Sequence, residues 1–114
     1  MPNYMLLLYD DPSQWANVSP EEMQAAIAKY GAWTQKPFVV DHKRLAEDPG
    51  KVIRGSGAKA RATDGPYSET KEVLGGYYTI RAADYDEAVK LALQHPHLDY
   101  GGAIELRQTW EMPS

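Results

Sequence analysis

Eight residues of this sequence have the type and placement to do chemistry on a small molecule. Asp10, closing the apolar run Met5-Leu6-Leu7-Leu8-Tyr9, is a carboxylate at the end of a strand-like segment. Asp64 opens the turn-rich stretch Asp64-Gly65-Pro66-Tyr67-Ser68-Glu69, which can present Asp64 as a general base and Tyr67 and Glu69 as ligand contacts. A second reading of the same stretch stands beside it: a structural turn, with the Asp64 side chain bonding nearby amides, Gly65 taking an unusual backbone angle and Pro66 fixing the next one. His42 carries an imidazole whose ordinary pKa lies near neutrality, suited to proton transfer. Tyr78 offers a phenol, while Glu105 and Arg107 form a charged pair that can orient a polar ligand or neutralise itself. Asp64, His42 and Tyr78 are thus candidate catalytic groups, with Asp10 added to them on separate grounds, and Tyr67, Glu69, Glu105 and Arg107 are the candidate ligand contacts.

Other chemistries find less support. There is no cysteine, which removes disulfides, thiolate nucleophiles and cysteine-bound metals. His95-Pro96-His97 is a weak metal signal and reads better as histidine favoured at a helix C-terminus, so no metal is expected. Serine nucleophile elbows, phosphate loops and dinucleotide fingerprints are missing, and no cofactor is expected. With 12 basic against 16 acidic residues, the net charge of −4 gives no general attraction for nucleic acid. The first residues lack a basic leader, and the apolar run is too short to cross a bilayer, so neither membrane nor secretion is expected and cytoplasmic residence is the default.

The elements that must position these groups can be read along the 114 residues, a length suited to one domain, 1–114. Tyr4 to Tyr9 is apolar on both alternating faces, as in a central strand covered on both sides. Ser19-Pro20-Glu21-Glu22 opens a helix to about Gln35, whose stripe of Met23, Ala26, Ile27, Tyr30, Trp33 and Thr34 should cover one sheet face. Phe38 to Leu45 reads as a half-polar strand. Lys51 to Arg54 and Ala58 to Arg61, around Gly55-Ser56-Gly57, read as a small exposed hairpin with four cations. Tyr77 to Ala82 alternates as a strand, and Asp84 caps a helix whose face of Ala88, Leu91, Ala92 and His95 ends at Pro96. Ala103 to Glu111 alternates as a last strand. Tyr9, Tyr78, Trp33 and Trp110 either line an aromatic pocket or fill the core.

This order fits an α+β, ferredoxin-like βαββαβ unit with an inserted hairpin. Both helices would then lie on one face, leaving the other for a second copy, so a homodimer is expected.

Thr63-Asp64-Gly65-Pro66-Tyr67-Ser68-Glu69-Thr70-Lys71-Glu72, followed by Leu74-Gly75-Gly76-Tyr77-Tyr78, closely resembles the signature of the DGPF branch of the YCII-related family. The likeness extends to Tyr4–Tyr9, to Asp86-Glu87-Ala88 and to Gly101–Arg107. Tyr67 stands where that signature usually has phenylalanine, and the segment from Val39 to Gly57 is poorer in glycine. The resemblance implies a dimeric α+β barrel with a cleft between facing sheets, and kinship with proposed small enzymes. It also implies an aspartate after the first strand, which Asp10 or Asp11 fits, paired with a histidine near the start of the first helix. Glu22 stands at about that place, so the histidine is missing and the pair cannot be carried over. The expected function is acid-base action on a small polar or aromatic molecule in the intersubunit cleft. The alternative is a non-catalytic ligand-binding or regulatory dimer.

Overall fold

The computed structural model describes residues 1–67 and 71–111. Strand β1 (Asn3–Asp10) buries Tyr4, Leu6 and Leu8 on one face and leaves Met5, Leu7 and Tyr9 half-buried on the other. It is one of the two inner strands of a four-stranded antiparallel sheet ordered β2-β5-β1-β6, where β2 is Val39–Arg44, β5 is Val73–Arg81 and β6 is Ala103–Gln108. The register with β5 slips between Leu8 and Tyr9. A bulge of this kind re-aims the strand end, here the end that carries Asp10.

Helix α1 (Pro20–Thr34) begins as its sequence requires, with the Ser19 side chain accepting the Glu22 N–H at 3.1 Å and proline in the first turn. Helix α2 (Tyr85–Ala92) is capped by Asp84, which accepts the Glu87 N–H at 2.9 Å. Both lie against the same sheet face, because Trp33 of α1 and Ala88 and Ala92 of α2 join Tyr4, Leu6, Leu8, Tyr78 and Ile80 in one core. Element order and helix placement are those expected.

Three boundaries differ, each for a physical reason. Gly57–Lys59 folds into a 3-10 turn, so the hairpin pairs β3 (Lys51–Arg54) with β4 (Arg61–Asp64), and Asp64 ends a strand instead of opening a loop. Helix α2 stops a turn before His95. The residue before a proline is driven to extended backbone, and His95 at φ −70°, ψ 133° caps a 3-10 turn at Pro96–Tyr100 instead of ending a helix. Strand β6 ends at Gln108, which leaves Trp110 outside the sheet and 78 % exposed, not in the core but on the wall of a shallow surface pocket with Met1 and Pro2.

Helix α1 does not press its whole apolar stripe onto the sheet. Ala26 and Trp33 are buried, but Met23 and Tyr30 are only half-buried and Ile27 is exposed. The space beneath them is a cavity.

Candidate functional site

The cavity holds about 840 Å³ and lies between α1, the ends of β1 and β5, and β2 with the segment that follows it. That volume falls within the range of small-molecule sites. Met23, Ala26 and Ile27 supply an apolar wall, Trp15, Tyr30 and Tyr78 supply rings, and Asp10, His42, Arg44 and His97 supply polar groups.

Asp10 stands at the wall with its side chain 30 % exposed. Its Oδ1 lies 3.5 Å from the indole Nε1 of Trp15, which donates to it, and 3.6 Å from His97 Nε2. The backbone carbonyl of Tyr9 also lies 2.9 Å from His97 Nε2, and the hydroxyl of Tyr30 lies 2.7 Å from Nδ1. A carbonyl only accepts, so in the neutral ring Nε2 carries the proton and Nδ1 accepts from Tyr30. His97 is thereby held at both nitrogens with a side-chain exposure of 2 %, its N–H edge turned toward the Asp10 carboxylate. Burial, and after it the charge of Asp10, raise the Tyr30 phenol far above its ordinary pKa, so it stays a protonated donor at any physiological pH.

Two glycines make room for this arrangement. A Cβ on Gly75 would overlap Asp10 Oδ2, and a Cβ on Gly102 would fall inside 3.0 Å of Nε2, Cδ2 and Cε1 of the His97 ring. Behind His97, His95 is packed against Trp33, Tyr78 and Tyr30, with ring centroids at 4.5, 4.6 and 5.5 Å. Its Nδ1 accepts the His97 N–H at 3.0 Å. Burial, and then the neighbouring His97, push the His95 imidazole down to about 4, so it is neutral at pH 7.

Of the residues singled out from the sequence, Asp10, His42 and Tyr78 line this one cavity. His42 stacks on the Tyr78 ring at 5.7 Å, and burial raises the Tyr78 phenol above its usual range. Asp64 is not brought to them. It is exposed on β4, bonded to Lys51 directly across the hairpin. Gly65 and Pro66 serve the hairpin base: the Gly65 N–H donates to the Gly50 carbonyl at 2.9 Å, and a Cβ on Gly65 would strike the Pro49 carbonyl oxygen. Tyr67 is 74 % exposed beneath the Arg54 guanidinium, 5.0 Å from its ring centroid. Glu105 and Arg107 lie 3.7 Å apart on the opposite sheet face, where the Tyr9 hydroxyl donates to Glu105 at 3.1 Å. Glu69 lies outside the described residues.

Sequence reasoning missed His97 as the partner of Asp10. An imidazole does reach the carboxylate, but from residue 97 after the second helix and not from the first helix. Gly101-Gly102 closely following His95-Pro96-His97 was the available sign, since a glycine that must admit a ring marks the ring as fixed.

The YCII-related domain family matches residues 2–113. The chain belongs to that family. An uncharacterized protein of Rhizobium meliloti (strain 1021) is 34 % identical over 95 residues, which cover 78 % of this chain and 76 % of that protein. The family match spans nearly the whole YCII-related chain, and the likeness to the uncharacterized relative brings no activity with it.

Proposed function

We propose that this YCII-related protein binds a small, largely aromatic molecule in the cavity under α1 and acts on it by acid-base chemistry, with Asp10 as the proton-accepting group. The supporting observation is the placement of Asp10 itself: a partly exposed carboxylate on a cavity wall, 3.6 Å from a buried imidazole fixed at both nitrogens. In this reading His97 and Tyr30 are positioning residues. The His97 N–H, donated to the Tyr9 carbonyl, fixes the strand end that carries Asp10, Tyr30 steadies His97, the Trp15 indole N–H donates to the carboxylate, and the Tyr78 and Trp15 rings face the flat part of the ligand. A pre-aligned base beside a confined, mostly apolar space is what proton abstraction next to a carbonyl requires. The test follows deuterium uptake from D2O at the carbon next to the carbonyl in a panel of small aryl ketones and lactones. Uptake catalysed by the wild type and lost in Asp10→Asn supports the reading. Uptake equal in both proteins overturns Asp10 as the base.

A second reading, of assembly, rests on the bare sheet face. The molecule is only 19 Å thick in its shortest dimension, and among the described residues no second layer covers Met5, Leu7, Tyr9, Tyr77 and Thr79, all half-buried. A ferredoxin-like unit closed against a second copy into a dimeric α+β barrel would cover this strip and enclose Glu105 and Arg107. Those two charges would then face the intersubunit cleft, separate from the cavity under α1.

A further inference from the structure

The hairpin β3–β4 stands apart from the body of the protein. It forms a sheet of its own, and its strands pair only with each other. An isolated two-stranded hairpin is marginal in water at best, so one that stands free wants something to lie against. Its strand residues are all exposed apart from the half-buried Val52, and Ile53 is 72 % exposed. The radius of gyration, 16.3 Å, exceeds the roughly 13 Å of a globular chain of this length. The surface is extended in the same sense. The chain exposes 8273 Å², against about 6,300 Å² for a folded monomer of 12.8 kDa. The excess, on the order of 2,000 Å² per chain, is of the size that one partner contributes to an obligate dimer.

Charge selects the occupant. The hairpin carries Lys51, Arg54, Lys59 and Arg61 against one carboxylate, Asp64, in a chain whose net charge is −4. The rest of the molecule is therefore more acidic than the whole, and a second copy offers the hairpin a surface of opposite sign. A nucleic acid or an anionic membrane would meet attraction from the hairpin and repulsion from the net negative charge of the remainder.

We infer that the β3–β4 hairpin is an exchanged arm, which seats Ile53 and the Arg54 and Arg61 side chains on the acidic body of a second copy of this chain. The inference rests on the dimer reading above and adds to it a clasp outside the bare sheet face. The hairpin springs from residues that bound the cavity, Asp48 and Pro49 on one side and Pro66 on the other, so the seated arm also fixes the mouth of the site.

The test is sedimentation equilibrium of the full-length protein at low and high salt, for the wild type, Arg54→Glu/Arg61→Glu and the charge-conserving Arg54→Lys/Arg61→Lys. Both positions are exposed, so the variants should fold, and circular dichroism checks this. The arm predicts a wild-type dimer that weakens with salt, loosened about tenfold or more by charge reversal and held by the lysine variant. A photo-crosslinking residue at position 53 should join two chains, with the crosslink mapping to an acidic region of the second. A dimer whose affinity charge reversal leaves unchanged overturns the arm and leaves the dimer standing. A monomer at every concentration overturns both. Crosslinking within one chain only, or charge-dependent binding to duplex DNA or phosphatidylserine vesicles in place of dimer formation, also overturns the arm.

Discussion

Adding one methyl group at residue 102 should cost far more than its size suggests. Gly102→Ala places a Cβ against three atoms of the His97 ring, inside the 3.0 Å that real Cβ atoms do not breach. The ring has no room to turn, being bound to the Tyr9 carbonyl at 2.9 Å and the Tyr30 hydroxyl at 2.7 Å and packed edge-on to Tyr30. Either the backbone moves, at about 1–3 kcal/mol for overpacking, or the ring leaves and two hydrogen bonds are lost at roughly 1 kcal/mol each, with buried groups left unpaired at further cost. Both routes converge on about 3 kcal/mol, a large part of the roughly 5–15 kcal/mol that holds a domain together. The neighbouring Gly101 is the control. It sits at φ +82° with nothing within 4 Å of its added Cβ, so Gly101→Ala should cost only the left-handed strain of about 1–2 kcal/mol. Urea denaturation at neutral pH measures both. A Gly102→Ala midpoint equal to or higher than that of Gly101→Ala, at unchanged slope, would refute the fixed His97 ring.

Gly75→Ala should separate stability from binding: its Cβ meets only the far end of the Asp10 side chain, so the melting temperature should fall little, while ligand-induced NMR shifts in the cavity should be lost. Retained shifts would show that the carboxylate position is immaterial. His95 makes stability depend on pH. Its folded pKa of about 4 lies below the ordinary 6.5, so the unfolded chain binds the extra proton between these values. The stabilisation is fully present above pH 6.5 and is lost on the way down to pH 4, in all about 3 kcal/mol. Unfolding titrations across that window should be shallower by this amount in His95→Gln, and parallel curves would contradict a neutral buried His95. Asp64→Asn removes only an exposed pair with Lys51, so it should change stability by at most about 1 kcal/mol and leave cavity binding as it was. Loss of binding in that variant would restore Asp64 to the site.

The parts of the fold that were legible in the sequence are those where periodicity and capping agree. Tyr4 to Leu8, the Ser19 and Asp84 caps, and the alternation from Tyr77 to Ala82 each had one consistent reading. Asp10 was legible as a candidate only through the family resemblance, which implies an aspartate after the first strand. His97 was not, for two reasons. Ala88, Leu91, Ala92 and His95 share a helical face, which carried the helix past its end at Ala92, and the contact with Tyr30 joins residues far apart in the chain. The cavity was hidden as well, since an apolar stripe on α1 looks the same whether it lies on the sheet or over a space beside it. Asp64-Gly65-Pro66 left two readings open because a hairpin base and a ligand loop draw on the same turn residues.

The most direct measurement is saturation-transfer-difference NMR with a mixture of small phenols and aryl ketones, comparing the wild type with Ile27→Trp. Residue 27 is 54 % exposed on the cavity wall, so an indole there fills the space without touching the core. Binding in the cavity predicts saturation transfer to the aromatic protons in the wild type and its disappearance in the variant at unchanged fold. Equal transfer in the two proteins, or none in either, would contradict a ligand site under α1.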